Sequence, residues 1–142
     1  MKKPKRCGNC GSTKLVSSKD ANFSLPWKDY PSVLLTEPVD AWTCSECNEL
    51  IFPASKAKTI DTAIKGSINS HINQFIKMIT LRENCEQKEI AAHIGVSPEY
   101  LSEIKSGRKT PKFQTFNFLK TLAIDENSFK ISSPTFKDWK TA

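Results

Sequence analysis

Residues 87–111 read QKEIAAHIGVSPEYLSEIKSGRKTP, and this stretch fixes the organisation of the C-terminal half. Ile90, Ala91 and Ile94 recur at helical spacing, with Lys88, Glu89 and Ala92 between them, so one face of a short helix is apolar. Gly95 suits the left-handed residue that stops a helix. Ser97 then offers a hydroxyl as N-cap, Pro98 fits the first helical position, and Glu99 is acidic in the first turn. Leu101 and Ile104 give the second helix its buried face. Glu99, Tyr100, Ser102, Glu103 and Lys105 fall on outward or flanking positions. Gly107 ends this helix, and Arg108, Lys109 and Lys112 follow.

Two short helices joined by a glycine turn, the second one capped, form a helix-turn-helix, whose second helix enters the DNA major groove. The alternative is a helical hairpin that packs and binds nothing. Gln87, Ala91, Gly95, Val96, Ser97, Leu101, Ile104, Gly107 and Pro111 resemble the Cro/repressor (XRE-like) type. By that resemblance Gln87 lies near the DNA backbone, and Pro98, Glu99, Tyr100, Ser102 and Glu103 are the base-facing set, with Ser97 as their cap. Lys88, Lys105, Arg108, Lys109 and Lys112 bracket the groove helix and suit phosphate contact. Glu99 and Glu103 depart from the Gln, Asn or Arg usual there. A glutamate accepts from cytosine N4 but is repelled by neighbouring phosphates.

Working back toward the N-terminus, Ile68, Ile72, Phe75, Ile76 and Ile79 recur at helical spacing and predict an amphipathic helix to about Glu83. Ala54 to Lys65 predicts a helical linker, with Gly66 breaking or weakening it. Farther back stand two pairs, Cys7-Gly8-Asn9-Cys10 and Cys44-Ser45-Glu46-Cys47. Each Cys-x-x-Cys makes a tight knuckle whose sulfurs converge on one metal. Four thiolates give a closed tetrahedral Zn²⁺ site with no open position, which is structural and not catalytic. No enzyme activity is therefore expected. Two disulfides are the alternative, and spacing alone leaves an iron–sulfur cluster open.

Between the knuckles the chain reads as short strands and loops: Lys14–Ser18 and Val33–Leu35 have strand-like content, Asp40–Thr43 leads into the second knuckle, and Pro26, Pro31 and Pro38 punctuate loops. Trp42 belongs over the metal. Trp27 and Tyr30 are either core or partner anchors. His71 and His93 read as surface histidines, and Cys85 has no assigned role.

The chain has 142 residues and a formal net charge of +6, an excess too modest to argue for nucleic acid by itself. Nothing resembles a membrane span, and the basic start MKKPKR lacks the apolar core of a signal peptide, so cytoplasmic location is expected. In that reducing compartment clustered cysteines point to metal before disulfide.

The expected fold class is α+β: a small N-terminal four-cysteine zinc-knuckle β domain (1–53), the linker (54–66), an all-α helix-turn-helix bundle (67–124) and a C-terminal extension (125–142). Over about residues 5–124 this order, with Cys7, Cys10, Cys44, Cys47 and the 87–111 motif, resembles the MqsA-type antitoxins, which join a YgiT-like zinc domain to an XRE-type helix-turn-helix. The resemblance implies a toxin-binding N-terminal domain and a dimeric C-terminal domain. It also implies repression of the operon by binding its double-stranded DNA operator. Some related antitoxins carry an apolar tail bound by a SecB-like chaperone, a role that Phe129, Ile131, Phe136 and Trp139 fit. A stand-alone zinc-containing transcriptional regulator is the alternative.

Overall fold

The computed structural model describes residues 3–21 and 23–131. It divides into two compact units between Ser67 and Ile68.

The first unit carries the strands. A three-stranded antiparallel sheet has the order β1 (Leu15–Ala21), β4 (Val39–Cys44), β5 (Leu50–Ile51). A separate two-stranded hairpin pairs β2 (Ser24–Trp27) with β3 (Tyr30–Leu34). Pro26 and Pro31, expected to mark loops, lie inside β2 and β3. A two-stranded ribbon has a free edge on each strand, so a proline without an N–H is tolerated there.

A single 3₁₀ turn (Ala54–Lys56) leads into the long helix α1 (Ala57–Glu83), which runs through the division between the units. Gly66 does not break it. Ile64, Ser67 and Ile68 around the glycine are all buried, and that packing outweighs the roughly 1 kcal/mol helix penalty of a glycine.

Residues 54–66 are not a free linker. Ile64 is buried, and the Trp27 indole Nε1 of the hairpin donates to Asp61 Oδ1 at 3.1 Å. Thr36 N donates to Ser67 Oγ at 2.9 Å, and that hydroxyl donates onward to Ala63 O. One apolar anchor, an indole hydrogen bond and a satisfied buried hydroxyl thus bind this part of α1 into the first unit.

The second unit is all helical: the rest of α1, then α2 (Gln87–Ile94), α3 (Pro98–Ser106), α4 (Phe113–Ile124) and α5 (Glu126–Ile131). Its core is aliphatic. Ile68, Ile72, Ile76 and Ile79 of α1 are buried with Ile90, Ala91, Leu101, Ile104, Leu119, Leu122 and Ala123. The Arg82 guanidinium donates to the carbonyls of Leu122 (2.6 Å) and Ala123 (2.7 Å), satisfying acceptors that the end of α4 leaves unpaired.

The extension expected from residue 125 begins as part of this bundle. α5 packs on α4, and its Phe129 stacks on His93 with ring centroids 3.9 Å apart. His93 is therefore half-buried, as is His71 between Phe75 and Phe116. Phe136 and Trp139 lie outside the described residues. No helix among the described residues is long and apolar enough to cross a membrane.

Candidate metal centre and nucleic-acid interface

The four knuckle cysteines converge. Cys7, Cys10, Cys44 and Cys47 have sulfurs all within 4.8 Å of one another. Cys7 Sγ lies 3.6 Å from Cys47 Sγ, and Cys10 Sγ lies 3.4 Å from Cys44 Sγ. A disulfide needs about 2.05 Å. Zn–S bonds of about 2.3 Å in a tetrahedron separate the sulfurs by about 3.8 Å. The observed spacings match the tetrahedron, and the donor set, four sulfurs and no oxygen or nitrogen, is that of a closed structural zinc site. The four cysteines would supply all four ligands of a tetrahedral Zn²⁺.

The two knuckles are built alike. Gly11 N donates to Cys7 O and Asn48 N donates to Cys44 O, both at 2.9 Å. Cys7 N donates to Ser12 O and Cys44 N to Glu49 O. Gly11 (φ 75°) and Asn48 (φ 61°) are both left-handed, each one residue past its second cysteine. Glycine and asparagine are the residue types that enter that region most readily. The signal for both in the sequence is their place directly after Cys10 and Cys47.

Sheet pairing brings the knuckles together. Leu15 pairs with Cys44 across β1 and β4, and Ser45 donates to Lys14 O through both its backbone N (3.0 Å) and its Oγ (2.9 Å). Cys7, Leu15 and Cys44 form a buried cluster against which Trp42, Cys47 and Ile51 pack. Trp42 thus covers the site as expected, and Lys3 Nζ lies 5.8 Å from its ring centroid.

The thiols differ in acidity in the absence of metal. Backbone hydrogen bonding from Cys47, then Glu46, helps pull Cys44 down to about 6. Cys10 accepts from the Ser12 backbone, which lowers it, yet the adjacent Cys44 sulfur and burial push it up to about 12.

The helix-turn-helix stretch forms its two helices with both caps in place. Ser97 Oγ accepts from Tyr100 N at 3.1 Å, and Pro98 opens α3. Gln87 opens α2, where Glu86 N donates to Glu89 Oε2. Both helices end in the same motif. Gly95 (φ 76°) and Gly107 (φ 83°) are left-handed. Val96 N reaches back to Ala91 O, and Arg108 N to Glu103 O, both at 3.0 Å.

Leu101 and Ile104 are fully buried, while Ser97, Pro98, Glu99, Ser102 and Lys105 are exposed, and Tyr100 and Glu103 are half-buried. Arg108, Lys109 and Lys112 are exposed and Gln87 is half-buried. Two of the expected phosphate-binding lysines already hold acids: Lys109 Nζ lies 2.7 Å from Glu103 Oε2, and Lys88 Nζ 3.2 Å from Glu86 Oε2. The Glu103 contact raises the Lys109 ammonium above its ordinary value. Lys109 thus neutralises one of the two glutamates that depart from the residues usual at these positions, and Glu99 remains.

Two side chains that hold α3 were missed in the sequence. Asn69 Nδ2 donates to Ile104 O (3.0 Å) and Lys105 O (2.8 Å), and Asn73 Nδ2 donates to Lys105 O (2.9 Å). These amides from α1 bond to the last carbonyls of α3, that of Ile104 being shared with the Gly107 N–H, and fix that end in place. Only their four-residue spacing on α1 hinted at a shared role.

The anchors proposed in the hairpin do not stand free. Tyr30 is a core residue, 2% exposed, and offers no face to a partner. Trp27 packs on Tyr30 at 5.8 Å, is bonded to Asp61, and is covered by Lys28 at 4.6 Å. No protein-family model matches this chain, and no curated protein matches it, so both sites are defined by their own geometry.

Proposed function

We propose that this chain is a zinc-braced DNA-binding repressor, the antitoxin of a bacterial toxin–antitoxin pair. One observation carries the DNA-binding part: α3 is capped at both ends, buries Leu101 and Ile104, and leaves Pro98, Glu99, Ser102 and Lys105 exposed. That is what a groove-entering helix requires. Lys105, Arg108 and Lys112 supply phosphate contacts, and the base-facing side chains supply sequence preference. One such helix reads few base pairs, so specific binding uses a homodimer on half-sites about one helical turn apart.

In this reading the N-terminal unit holds the toxin in a stoichiometric complex, and the zinc keeps its docking surface folded without taking part in chemistry. The tail carrying Phe136 and Trp139 is assigned to a SecB-like chaperone. The antitoxin role rests on the resemblance and on the order of the two units.

A stand-alone zinc-containing regulator is the second reading. The burial of Tyr30 and the tethering of Trp27 favour it, because they remove the two expected anchors for a toxin.

The test uses the full zinc-loaded chain. Selection from random duplexes is expected to enrich a two-fold symmetric site, with binding lost in the double variant Ser102→Arg, Lys105→Glu. No enrichment overturns the DNA-binding reading. Co-expression with a toxic neighbouring gene is expected to restore growth. Enrichment of operators at unrelated genes, with no such neighbour, selects the stand-alone regulator.

A further inference from the structure

A notch of about 450 Å³ opens on the C-terminal unit beside the helix-turn-helix. It is lined by Asn73, Ile76, Lys77 and Thr80 of α1, Gln87 of α2 and Lys105 of α3. Its chemistry is one-sided. Two lysines, Lys77 and Lys105, and the amide residues Asn73 and Gln87 line it, and no acidic residue does. Neither lysine joins an ion pair among the described residues.

The acids that flank Gln87 in sequence have other partners. Glu86 pairs with Lys88, and Glu89 accepts the Glu86 backbone N–H. The floor is firm: Ile76 is buried, and Asn73 holds the Lys105 carbonyl at 2.9 Å, which fixes the main chain from which the Lys105 side chain leaves. A preformed notch with two such cations and an amide selects a compact, multiply accepting anion.

We propose that this notch binds a phosphate group of a nucleic-acid backbone, with Lys77, which lies outside the helix-turn-helix, as a direct contact. The proposal rests on the DNA-binding reading and extends the contact surface to α1. Lys105 belongs to both the notch and α3, the helix whose exposed residues face the bases. A phosphate held at the end of a reading helix sets its register on the duplex while carrying no sequence information.

The experiment compares zinc-loaded wild type with Lys77→Gln and Lys77→Arg, all checked for unchanged circular dichroism. Duplex affinity is measured by anisotropy on the selected site and on random sequence across a salt series. Inorganic phosphate is titrated separately, followed by the amide NMR shifts of Lys77, Gln87 and Lys105. Loss of one phosphate contact is expected to weaken Lys77→Gln roughly 8-fold at about 0.1 M salt on both duplexes, with a salt slope shallower by about 0.9. Lys77→Arg keeps wild-type affinity.

If wild type binds duplex and Lys77→Gln matches it in affinity and slope, the notch proposal is overturned and the DNA-binding reading stands. If wild type binds no duplex, both are overturned. Phosphate-dependent shifts in that case reassign the notch to free phosphate.

Discussion

The two units reach order by different routes. The helical unit buries an unbroken set of aliphatic side chains, from Ile68 through Ala123. The strand unit has far less to bury around its knuckles: Cys7, Leu15 and Cys44, with Trp42, Cys47 and Ile51 against them. A cluster that small leaves the conformational entropy of its loops uncompensated, and a four-thiolate metal supplies the missing stabilisation. The hairpin part of the same unit solves its problem differently, by burying Tyr30, Val33, Leu35 and Ile64 and by hydrogen bonding to α1. Metal is thus a local remedy, needed only where apolar surface runs short.

The largest expected effect tests that contrast directly. Removal of zinc by a chelator, or Cys44→Ser, forfeits metal binding on the order of 10 kcal/mol. Calorimetry should show the strand unit's transition lost and the helical unit's retained, with Trp42 fluorescence reporting the knuckles. Loss of both transitions would break the comparison. The converse variant, Ile104→Ala, leaves a cavity in the helical core and should cost about 3 kcal/mol there. Its zinc content, read by a colorimetric chelator, should stay at one ion per chain.

Smaller changes probe how α3 is held. Gly107→Ala forces a side chain into the left-handed region, with its Cβ 3.5 Å from the Asn69 amide, and should cost about 1 kcal/mol or more. Asn73→Ala leaves the Lys105 carbonyl with one amide partner instead of two and should cost about 1 kcal/mol, read from the helical unit's denaturation midpoint.

The smallest effect lies in the strand unit and depends on pH. Asp61 accepts from Lys65 and from the Trp27 indole, and these hydrogen bonds lower its carboxyl below its usual 3.8. A depressed folded value means stability that is present above 3.8 and lost as pH falls through the folded value. Asp61→Asn should therefore destabilise the unit slightly at neutral pH, and the difference should vanish in strong acid. A gap that persists unchanged at low pH would show that the indole contact, and not the charge, carries the effect.

Legibility followed the range of the interactions. The caps and stops of α2 and α3 act within a few residues, so Ser97, Pro98, Gly95 and Gly107 announced them in the sequence. The four cysteines announced their cluster because the tetrahedral demand of one ion restricts what two Cys-x-x-Cys pairs can do. The continuity of α1 through Gly66 was not legible, since burial on both sides of that glycine decided it. Strand β2 was hidden by Pro26, whose effect depends on whether a neighbouring strand needs its missing donor.

The sequence by itself determined the order of the units, the metal ligands and the limits of the helix-turn-helix, because periodicity, caps and ligand spacing are local and written in residue types. Only the tertiary structure decided that residues 54–66 belong to the strand unit and that Tyr30 is core. It also decided that Lys109 is spent on Glu103 and that Asn69 and Asn73 hold the end of α3. Each of these is a contact between residues distant in the chain or a matter of which face is covered. Partners of that kind are set by packing, which no single stretch of sequence contains.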